Sequence, residues 1–198
     1  LGIAMMFSHV AQAQTTHIVQ NINNSGAGSL RAIAATAVSG DTIRFAPSLL
    51  TAAVDSISLD TDISFGNKAI VIRGLYSPTD TLFISGANSS RIFSFSGAGK
   101  VVLDSLVLIN GNGVGSYVSN AAGGAVLYYS GTNTLYILNS VVRNNSAVNG
   151  GGIFLEGLAT SISLSDVVFN NNTATQNGGA IFFNYTSSIT QKYESDPN

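Results

Sequence analysis

Three tyrosines are the side chains best suited to contact a ligand. Tyr128, Tyr129 and Tyr136 lie in a region rich in Asn, Ser and Thr. An aromatic ring offers an apolar face that can stack on a sugar ring, and the tyrosine hydroxyl can hydrogen-bond beside it. The pattern predicts a carbohydrate-contacting surface. The alternative is that these rings are ordinary outward or core aromatics.

Two pairs of carboxylates could support catalysis. Asp104 and Asp166 occupy equivalent positions of a repeat described below, and Asp60 and Asp62 are close in sequence. Glycoside hydrolysis needs two carboxyl groups roughly 5–10 Å apart, and a calcium-dependent lyase would need clustered acids with a basic residue. Asp after an apolar strand commonly forms a turn, and no face rich in Lys or Arg is evident. The residues favour a non-catalytic protein, with a polysaccharide lyase or glycoside hydrolase as the alternative.

No metal or cofactor site is expected from the remaining polar residues. The chain has no Cys, and His9 and His17 have no acid close by in sequence, so a ligand set is not predicted. A third function, ice binding, would require regular Thr-x-Thr rows. The chain offers a fragment of such rows at Thr132, Thr134, Thr173 and Thr175.

The composition restricts the fold and the partners. Charged residues make up 9% of the 198-residue chain, against about 25% in an ordinary globular domain. Because helix surfaces usually carry Glu, Lys and Arg, this shortage argues against a helical protein. The net charge of −2 provides no electrostatic footprint for nucleic acid.

Both ends of the sequence differ from its middle. An apolar run at 1–7 precedes Ala11-Gln12-Ala13, a pattern typical of signal-peptide cleavage. We interpret residues 1–13 as a truncated secretory signal, the alternative being a buried strand. The last residues, 191–198, form a polar tail that cannot cover a strand edge. We therefore expect the native protein to continue beyond Asn198.

Residues 14–55 are predicted to form an N-terminal cap of strand, short helix and strand. Ser29 is suited to be the helix N-cap, and apolar residues then follow at helical spacing for about ten residues. Gly40 would supply the left-handed residue after the helix. Such a helix suits the exposed end of a stack of repeats, because terminal units need a cap.

A paired-glycine motif recurs at nearly constant spacing in the second half of the chain. Its copies begin at Gly123, Gly150 and Gly178, so the second interval is one position longer than the first. A nearly fixed period of this length is typical of a solenoid. The glycine pairs are Gly123 and Gly124, Gly150 and Gly151, and Gly178 and Gly179.

Aligning the repeats places residues of similar type in columns, with one longer step attributed to an insertion around 111–120. The predicted columns are Val102, Ile137 and Leu164; Leu106, Val141 and Val168; Asp104, Asn139 and Asp166; Asn110, Asn145 and Asn172; and Ile92, Val126, Ile153 and Ile181. Stacked coils would bring the members of each column about 4.8 Å apart. A column of Asn could then form a hydrogen-bonded ladder.

The period and the alternation together predict the fold. A coil of about 27 residues can pass once around a triangular cross-section, with alternate residues facing in and out. We predict an all-β protein, a right-handed parallel β-helix over residues 56–190, because parallel crossovers are right-handed. A β-sandwich would explain the alternation but not the equal spacing of several columns.

The repeats resemble those of polymorphic outer membrane proteins, which are β-helical passenger domains of bacterial surface proteins. That family pairs a Gly-Gly-Ala-Ile motif with Phe-x-x-Asn. Here Gly178-Gly179-Ala180-Ile181 fits the first motif and Phe169-Asn170-Asn171-Asn172 fits the second. A generic β-helix whose corners prefer Gly and Asn is the alternative.

The resemblance covers roughly residues 16–186 and implies a function and a location. It implies a secreted or surface-anchored, adhesin-like binding or scaffold module at the extracellular or outer-membrane surface of a bacterium. Carbohydrate or a host-surface ligand would be the partner. The resemblance also implies a C-terminal barrel or sorting domain, which this chain does not include.

Overall fold

A computed structural model describes residues 13–51, 54–75, 81–97, 99–115, 121–129, 134–157, 161–184 and 188–191. The described residues form one short α-helix, α1 (Leu30–Thr36), a 3-10 helix (Pro47–Leu49) and seventeen strands. The strands are β1 (Thr16–Val19), β2 (Thr42–Phe45), β3 (Val54–Ser58), β4 (Ile63–Gly66), β5 (Ile70–Arg73), β6 (Thr81–Ser85), β7 (Phe93–Ser96), β8 (Val101–Asp104), β9 (Val107–Ile109), β10 (Val126–Tyr129), β11 (Thr134–Arg143), β12 (Ser146–Asn149), β13 (Ile153–Glu156), β14 (Ser161–Asn170), β15 (Thr173–Asn177), β16 (Ile181–Asn184) and β17 (Ser188–Gln191).

The strands wind into a stack of about six turns with three long faces. The first face contains β1, β2, β5, β8, the first halves of β11 and β14, and β17; the second contains β3, β6, β9 and the second halves of β11 and β14; the third contains β4, β7, β10, β13 and β16. The pair β12–β15 lies between the second and third faces along the chain. Every pairing between these strands is parallel. The predicted parallel β-helix is therefore confirmed, and the β-sandwich is excluded.

The core is a continuous apolar filling enclosed by the three faces. Residues that alternate along the strands are almost fully buried, among them Ile72, Leu103 and Ile137 on the first face. Phe65 stacks on Phe95 with ring centroids 5.2 Å apart. This interior follows from strand geometry, because every second residue along a strand points to the same side of the sheet.

The register predicted for the last coils is confirmed. Val141 pairs with Val168, and Ile137 pairs with Leu164, in the parallel ladder between β11 and β14. On the third face Val126 pairs with Ile153, which pairs with Ile181.

In the longer coil the predicted columns are wrong by one residue. The step from β8 to β11 is one residue shorter than predicted. The residue that pairs with the later coil is therefore the next one in the sequence after the predicted residue. The observed pairs are Leu103–Ile137, Val107–Val141 and Phe93–Val126, where the prediction used Val102, Leu106 and Ile92. In each case two adjacent apolar residues made the choice ambiguous, and a one-residue slip exchanges the inner and outer faces of a strand.

The same slip affects the two polar columns. At the corner between the first and second faces, Ser105, Asn139 and Asp166 adopt left-handed backbone angles, with φ of 55°, 46° and 53°. Asp104 therefore belongs to β8 and pairs with Leu138, not with Asn139. At the next corner the left-handed residues are Asn110, Asn144 and Asn171, with φ of 54°, 56° and 52°.

The internal asparagine ladder has two members rather than three. The amide of Asn145 donates to Asn172 Oδ1 at 2.9 Å, and Asn172 donates to the carbonyl of Val142 at 2.7 Å. Gly111 takes the place predicted for Asn110, and its backbone N–H donates to Asn145 Oδ1 at 2.7 Å. Asn145 is buried, so these bonds satisfy polar groups that water cannot reach.

Each glycine pair serves a different requirement at its two positions. The first residues, Gly123, Gly150 and Gly178, have φ of 64°, 63° and 64°, which glycine adopts without strain. At the second position, a Cβ on Gly124 would overlap the carbonyl oxygen of Gly151 in the next coil. The motif thus allows both a sharp bend and close stacking of the backbones.

The helix α1 has the predicted start but is shorter than predicted. Ser29 Oγ accepts a hydrogen bond from the backbone N–H of Ala32 at 3.2 Å, as expected for an N-cap. The helix ends at Thr36 with Ala37 as its C-cap. Gly40 has a positive φ of 98°, but it lies in the turn before β2 and does not end the helix. Both β1 and β2 continue the first-face sheet formed by the later coils.

The predicted signal and tail fall almost wholly outside the described residues. Of these segments the structure describes Ala13 and the backbone of Gln191. In the described part of the chain, no helix has the length and apolar character needed to cross a membrane.

Candidate functional site

Tyr128, predicted to contact a ligand, is instead part of the core. Its side chain points inward from β10 and is fully buried, with its ring 6.1 Å from that of Phe95. The hydroxyl donates to the carbonyl of Gly99 at 3.3 Å. Burial raises the pKa of this phenol to about 12. The prediction of a ligand contact at Tyr128 is therefore wrong. Alternate residues of β10 face inward, and Tyr128 is one of them.

Tyr129 is half-buried on the outer side of the third face. It packs beside a small apolar cluster formed by Ala122, Leu127 and Phe154. Leu127 and Phe154 are register partners on β10 and β13, and Phe182 continues the row with its ring 5.6 Å from that of Phe154. Much of the Tyr129 ring is thus engaged within the protein.

Tyr136 lies on the outer side of the first face and lines a shallow groove. The groove has a volume of about 390 Å³, and we call it the first-face groove. Its floor consists of outward side chains from successive strands, and its rim contains two cations. The lining residues used below are Val71, Arg73, Lys100, Val102, Tyr136 and Leu138.

The stacking of coils produces the groove. Val71, Val102 and Tyr136 are register partners on β5, β8 and β11. Val102 is 8% exposed, although it points away from the core. The neighbouring column brings Arg73 beside Asp104, with Nε 3.6 Å from Oδ2. The ammonium group of Lys100 lies 4.7 Å from the centroid of the Tyr136 ring, within the range of a cation–π contact.

A second polar site forms around Asp60 and Asp62, the acidic pair that is close in sequence. Asp60, Asp62, Ser89, Ser90, Val114 and Gly115 line a groove of about 280 Å³. Arg31 Nη2 lies 3.4 Å from Asp60 Oδ1, and Arg91 Nη1 lies 3.6 Å from Asp62 Oδ2. The pKa of Asp60 is lowered, chiefly by its hydrogen bond with Asn24 and also by the charge of Arg31.

Asp62 and Arg91 form a buried ion pair beneath the long coil. Both side chains are completely buried, and Ser94 Oγ donates to Asp62 Oδ2 at 2.8 Å. Arg91 Nη2 donates to the carbonyls of Gly113 and Ala122, each at 2.7 Å. Burial lowers the pKa of Arg91 to about 10, and the charge of Asp62 opposes this effect. The arginine thus joins the two ends of the insertion.

The predicted carboxylate pair of Asp104 and Asp166 is not aligned as expected. Asp104 accepts from Asn139 Nδ2 at 3.1 Å and faces Arg73. Asp166 is the left-handed corner residue and accepts from Ser165 Oγ at 3.0 Å. Asp104 and Asp166 thus lie at adjacent positions of the same corner, two coils apart, and not in one column.

His17 has an acidic neighbour that its sequence position did not reveal. Its Nε2 lies 2.7 Å from Asp41 Oδ2. Asp41 also accepts from the backbone N–H groups of Thr15 and Val38, each at 2.9 Å. These bonds, led by that from Val38, lower the pKa of Asp41 to about 2. Within the described ranges, no three His, Asp or Glu side chains are grouped so that they could hold a metal ion.

The sequence interpretation missed the cations of the first face. Arg44 and Arg73 lie one coil apart in the sequence and are register partners on β2 and β5. Lys100 immediately precedes β8. The period of about 27 residues in the last coils does not bring these cations together, because the steps from β2 to β5 and from β5 to β8 are longer.

Comparison with known proteins identifies one segment of the chain. Residues 166–184 match the Chlamydia polymorphic membrane protein repeat. This segment runs from the second half of β14 to β16 and includes both the Phe-x-x-Asn and the Gly-Gly-Ala-Ile motifs. Neither a search of curated proteins nor a search of solved structures found a match. The stacked coils and the matched repeat together confirm the resemblance to β-helical surface proteins of the polymorphic membrane protein type.

Proposed function

We propose that this chain is an adhesin-like binding or scaffold module displayed at a bacterial surface, and that it is not catalytic. The observation that carries the proposal is the polymorphic membrane protein repeat at 166–184, set within the parallel coils. The repeat indicates an outer-membrane or surface protein. Carbohydrate is the ligand class we favour for its outer faces.

The shape of the molecule supports this function. Parallel strands stacked over about six turns provide three long, regular outer faces. Solenoid proteins use such extended surfaces for binding. Tyr136 and the half-buried Tyr129 remain our candidate ligand contacts among the three tyrosines.

The surroundings of the acids argue against the alternative, a lyase or hydrolase. Asp62 is buried with Arg91 and accepts from Ser94. Asp104 faces Arg73 and accepts from Asn139. A general acid or base must instead be within hydrogen-bond reach of the substrate.

Adhesion can be measured with beads coated with the purified chain. We expect these beads to attach to cultured epithelial cells more than albumin-coated beads do, and excess soluble chain to displace them. Equal attachment of both kinds of bead, or no displacement, would contradict the proposed function.

The enzymatic alternative has a separate test. The purified chain should leave polygalacturonate, alginate and hyaluronan uncleaved, as measured by reducing ends and by the absorbance of unsaturated products. Turnover that is lost in Asp104→Asn but kept in Asp166→Asn would replace our proposal by a catalytic one centred on the first face.

A further inference from the structure

We propose that the first-face groove binds an anionic polysaccharide whose sugar units carry carboxylate or sulfate groups. The inference rests on the proposed function, because it names the ligand class of a surface-displayed binding module. It assigns to one site Arg73, Lys100 and Tyr136, which line the groove, and Arg44, the register partner of Arg73 on the next strand. The polymer would cross successive strands of the first face, from β2 to β11.

The arrangement of charges is the first argument. Arg44 and Arg73 are register partners on adjacent parallel strands, which lie about 4.8 Å apart. Like charges at such positions disfavour each other. Arg73 has Asp104 at 3.6 Å, but among the described residues no carboxylate pairs with Arg44 or Lys100. An anionic ligand would supply the missing negative charge.

The groove floor is the second argument. Val71, Val102 and Tyr136 form a row of outward side chains, and Leu138 adjoins the row. A sugar ring presents an apolar C–H face that can lie on such a surface, while its charged groups reach the rim. Lys100, whose ammonium lies over the Tyr136 ring at 4.7 Å from its centroid, would place a cation next to a sugar that lies on Val71 and Val102.

The position of the groove argues for a polysaccharide rather than an acidic peptide. The groove lies on the face of a sheet whose strands are hydrogen-bonded to parallel neighbours on both sides. Peptide capture by strand addition needs an open sheet edge, so that mode is not available here. Ring stacking with ionic contacts at the rim does not require free backbone groups.

Ligand specificity can be measured by biolayer interferometry on the full chain. Polygalacturonate tests carboxylate groups, heparin tests sulfate groups, and dextran is the neutral control. We expect binding to at least one polyanion and not to dextran, with affinity falling as salt rises because exposed charges are screened. Equal binding to dextran, or no binding to either polyanion, would overturn the proposal.

Matched substitutions test the site itself. We expect Arg44→Gln combined with Lys100→Gln to weaken polyanion binding about tenfold or more. Tyr136→Ser should also weaken it, whereas Tyr136→Phe, which keeps the ring, should retain binding. Arg143→Gln is the control, because it removes one cation from the second-face half of β11, where Arg143 lies over Phe83. Circular dichroism and thermal melting would verify that each variant is folded.

Two outcomes would show that the site is wrong. One is a loss in Arg143→Gln as large as that in the double variant, which would indicate nonspecific charge attraction. The other is binding of poly-glutamate with the same affinity and the same dependence on Lys100 and Tyr136, which would make the occupant a peptide. If coated beads still adhere to cells in either case, the adhesin proposal stands and only this site is rejected.

Discussion

At the scale of single residues, Arg91 has the largest structural role that the sequence did not predict. Its guanidinium joins carbonyls from both ends of the insertion in the long coil and lies against Asp62. A planar group with several donors suits this task better than a lysine ammonium does. The residue therefore stabilises the place where the coil departs most from its regular length.

Replacing Arg91 by Met should strongly destabilise the fold. The substitution leaves a buried carboxylate at Asp62 without its ion pair and removes the donors to Gly113 and Ala122. Breaking a buried pair in this way typically costs about 3–5 kcal/mol. The free energy of unfolding can be measured by urea denaturation.

The matched control for this variant is Arg143→Met, at a partly exposed site. It should change the unfolding free energy by less than about 1 kcal/mol. Equal urea midpoints for Arg91→Met and the wild type would contradict the assigned role. If Arg91→Met does not fold at all, Asp62→Asn, which keeps the shape of the side chain, should still show a large loss.

Asp41 predicts how stability depends on pH. Its pKa falls from 3.8 in the reference state to about 2 in the folded protein, so the folded state favours the charged form. This contribution is present above about pH 4 and is lost as pH falls toward 2. The urea midpoint of the wild type should therefore decrease as pH is lowered from 4 to 2. Asp41→Asn should be less stable than the wild type at pH 7, and its stability should depend less on pH in that range. An unchanged dependence in that variant would contradict the prediction.

For the strands, the sequence revealed which residues form columns, but it did not show in every coil which residues of a strand face inward. Where one apolar residue alternates with one polar residue, as in the first half of β14, the alignment was correct. Where two apolar residues adjoin, as at Val102 and Leu103, side-chain type could not decide which one faces inward. The left-handed corner residues settle this choice, and backbone conformation at such a corner is not encoded by one residue type: Ser, Asn and Asp all occur there.

At the asparagine corner, Asn144 is the left-handed residue and Asn145 is the buried one. The same substitution to glycine should therefore have opposite effects at these two neighbouring positions. Asn145→Gly should destabilise the protein by about 2–3 kcal/mol, because the N–H of Gly111 and the carbonyl of Leu108 lose their hydrogen bonds to the buried Asn145 side chain. Asn144→Gly should be tolerated, because a φ of 56° suits glycine. Urea unfolding of both variants measures the difference.

The result would also test the register directly. If Asn144→Gly were the damaging substitution and Asn145→Gly the harmless one, the internal ladder would lie one residue earlier than the structure places it. The column Asn110, Asn144 and Asn171 would then be the buried one.

At the scale of the whole molecule, the architecture was predictable because one period governs many residues at once. A helix cap at Ser29, paired glycines and repeated apolar rows all agree with a stack of coils, and an error at one position does not change that conclusion. The first-face groove was not predictable in the same way. Its cations come from three coils of different lengths, so no fixed spacing in the sequence marks them as neighbours.

The repeat architecture predicts that one complete coil can be removed. Deleting residues 145–171 removes one full period and joins Asn144 to Asn172. The join keeps the register, because Asn144 occupies the same corner position as Asn171, the residue that normally precedes Asn172. The first half of β11 would then stack on β17, and β10 on β16, with their inward and outward sides preserved. Because each repeat contacts only its neighbours, we expect a folded protein that melts cooperatively at a lower temperature.

A half-coil deletion is the matched control that makes this prediction decisive. Removing residues 145–157 would connect the second half of β11, on the second face, directly to the first half of β14, on the first face. The chain would then skip the third face, and the later strands could not pair with the strands that they adjoin in the native stack. We expect this variant to lose its cooperative melting transition and much of its far-ultraviolet β signal. Similar behaviour of the two deletions would contradict the idea that the period sets the fold, since only the full-period deletion keeps every later strand on its own face.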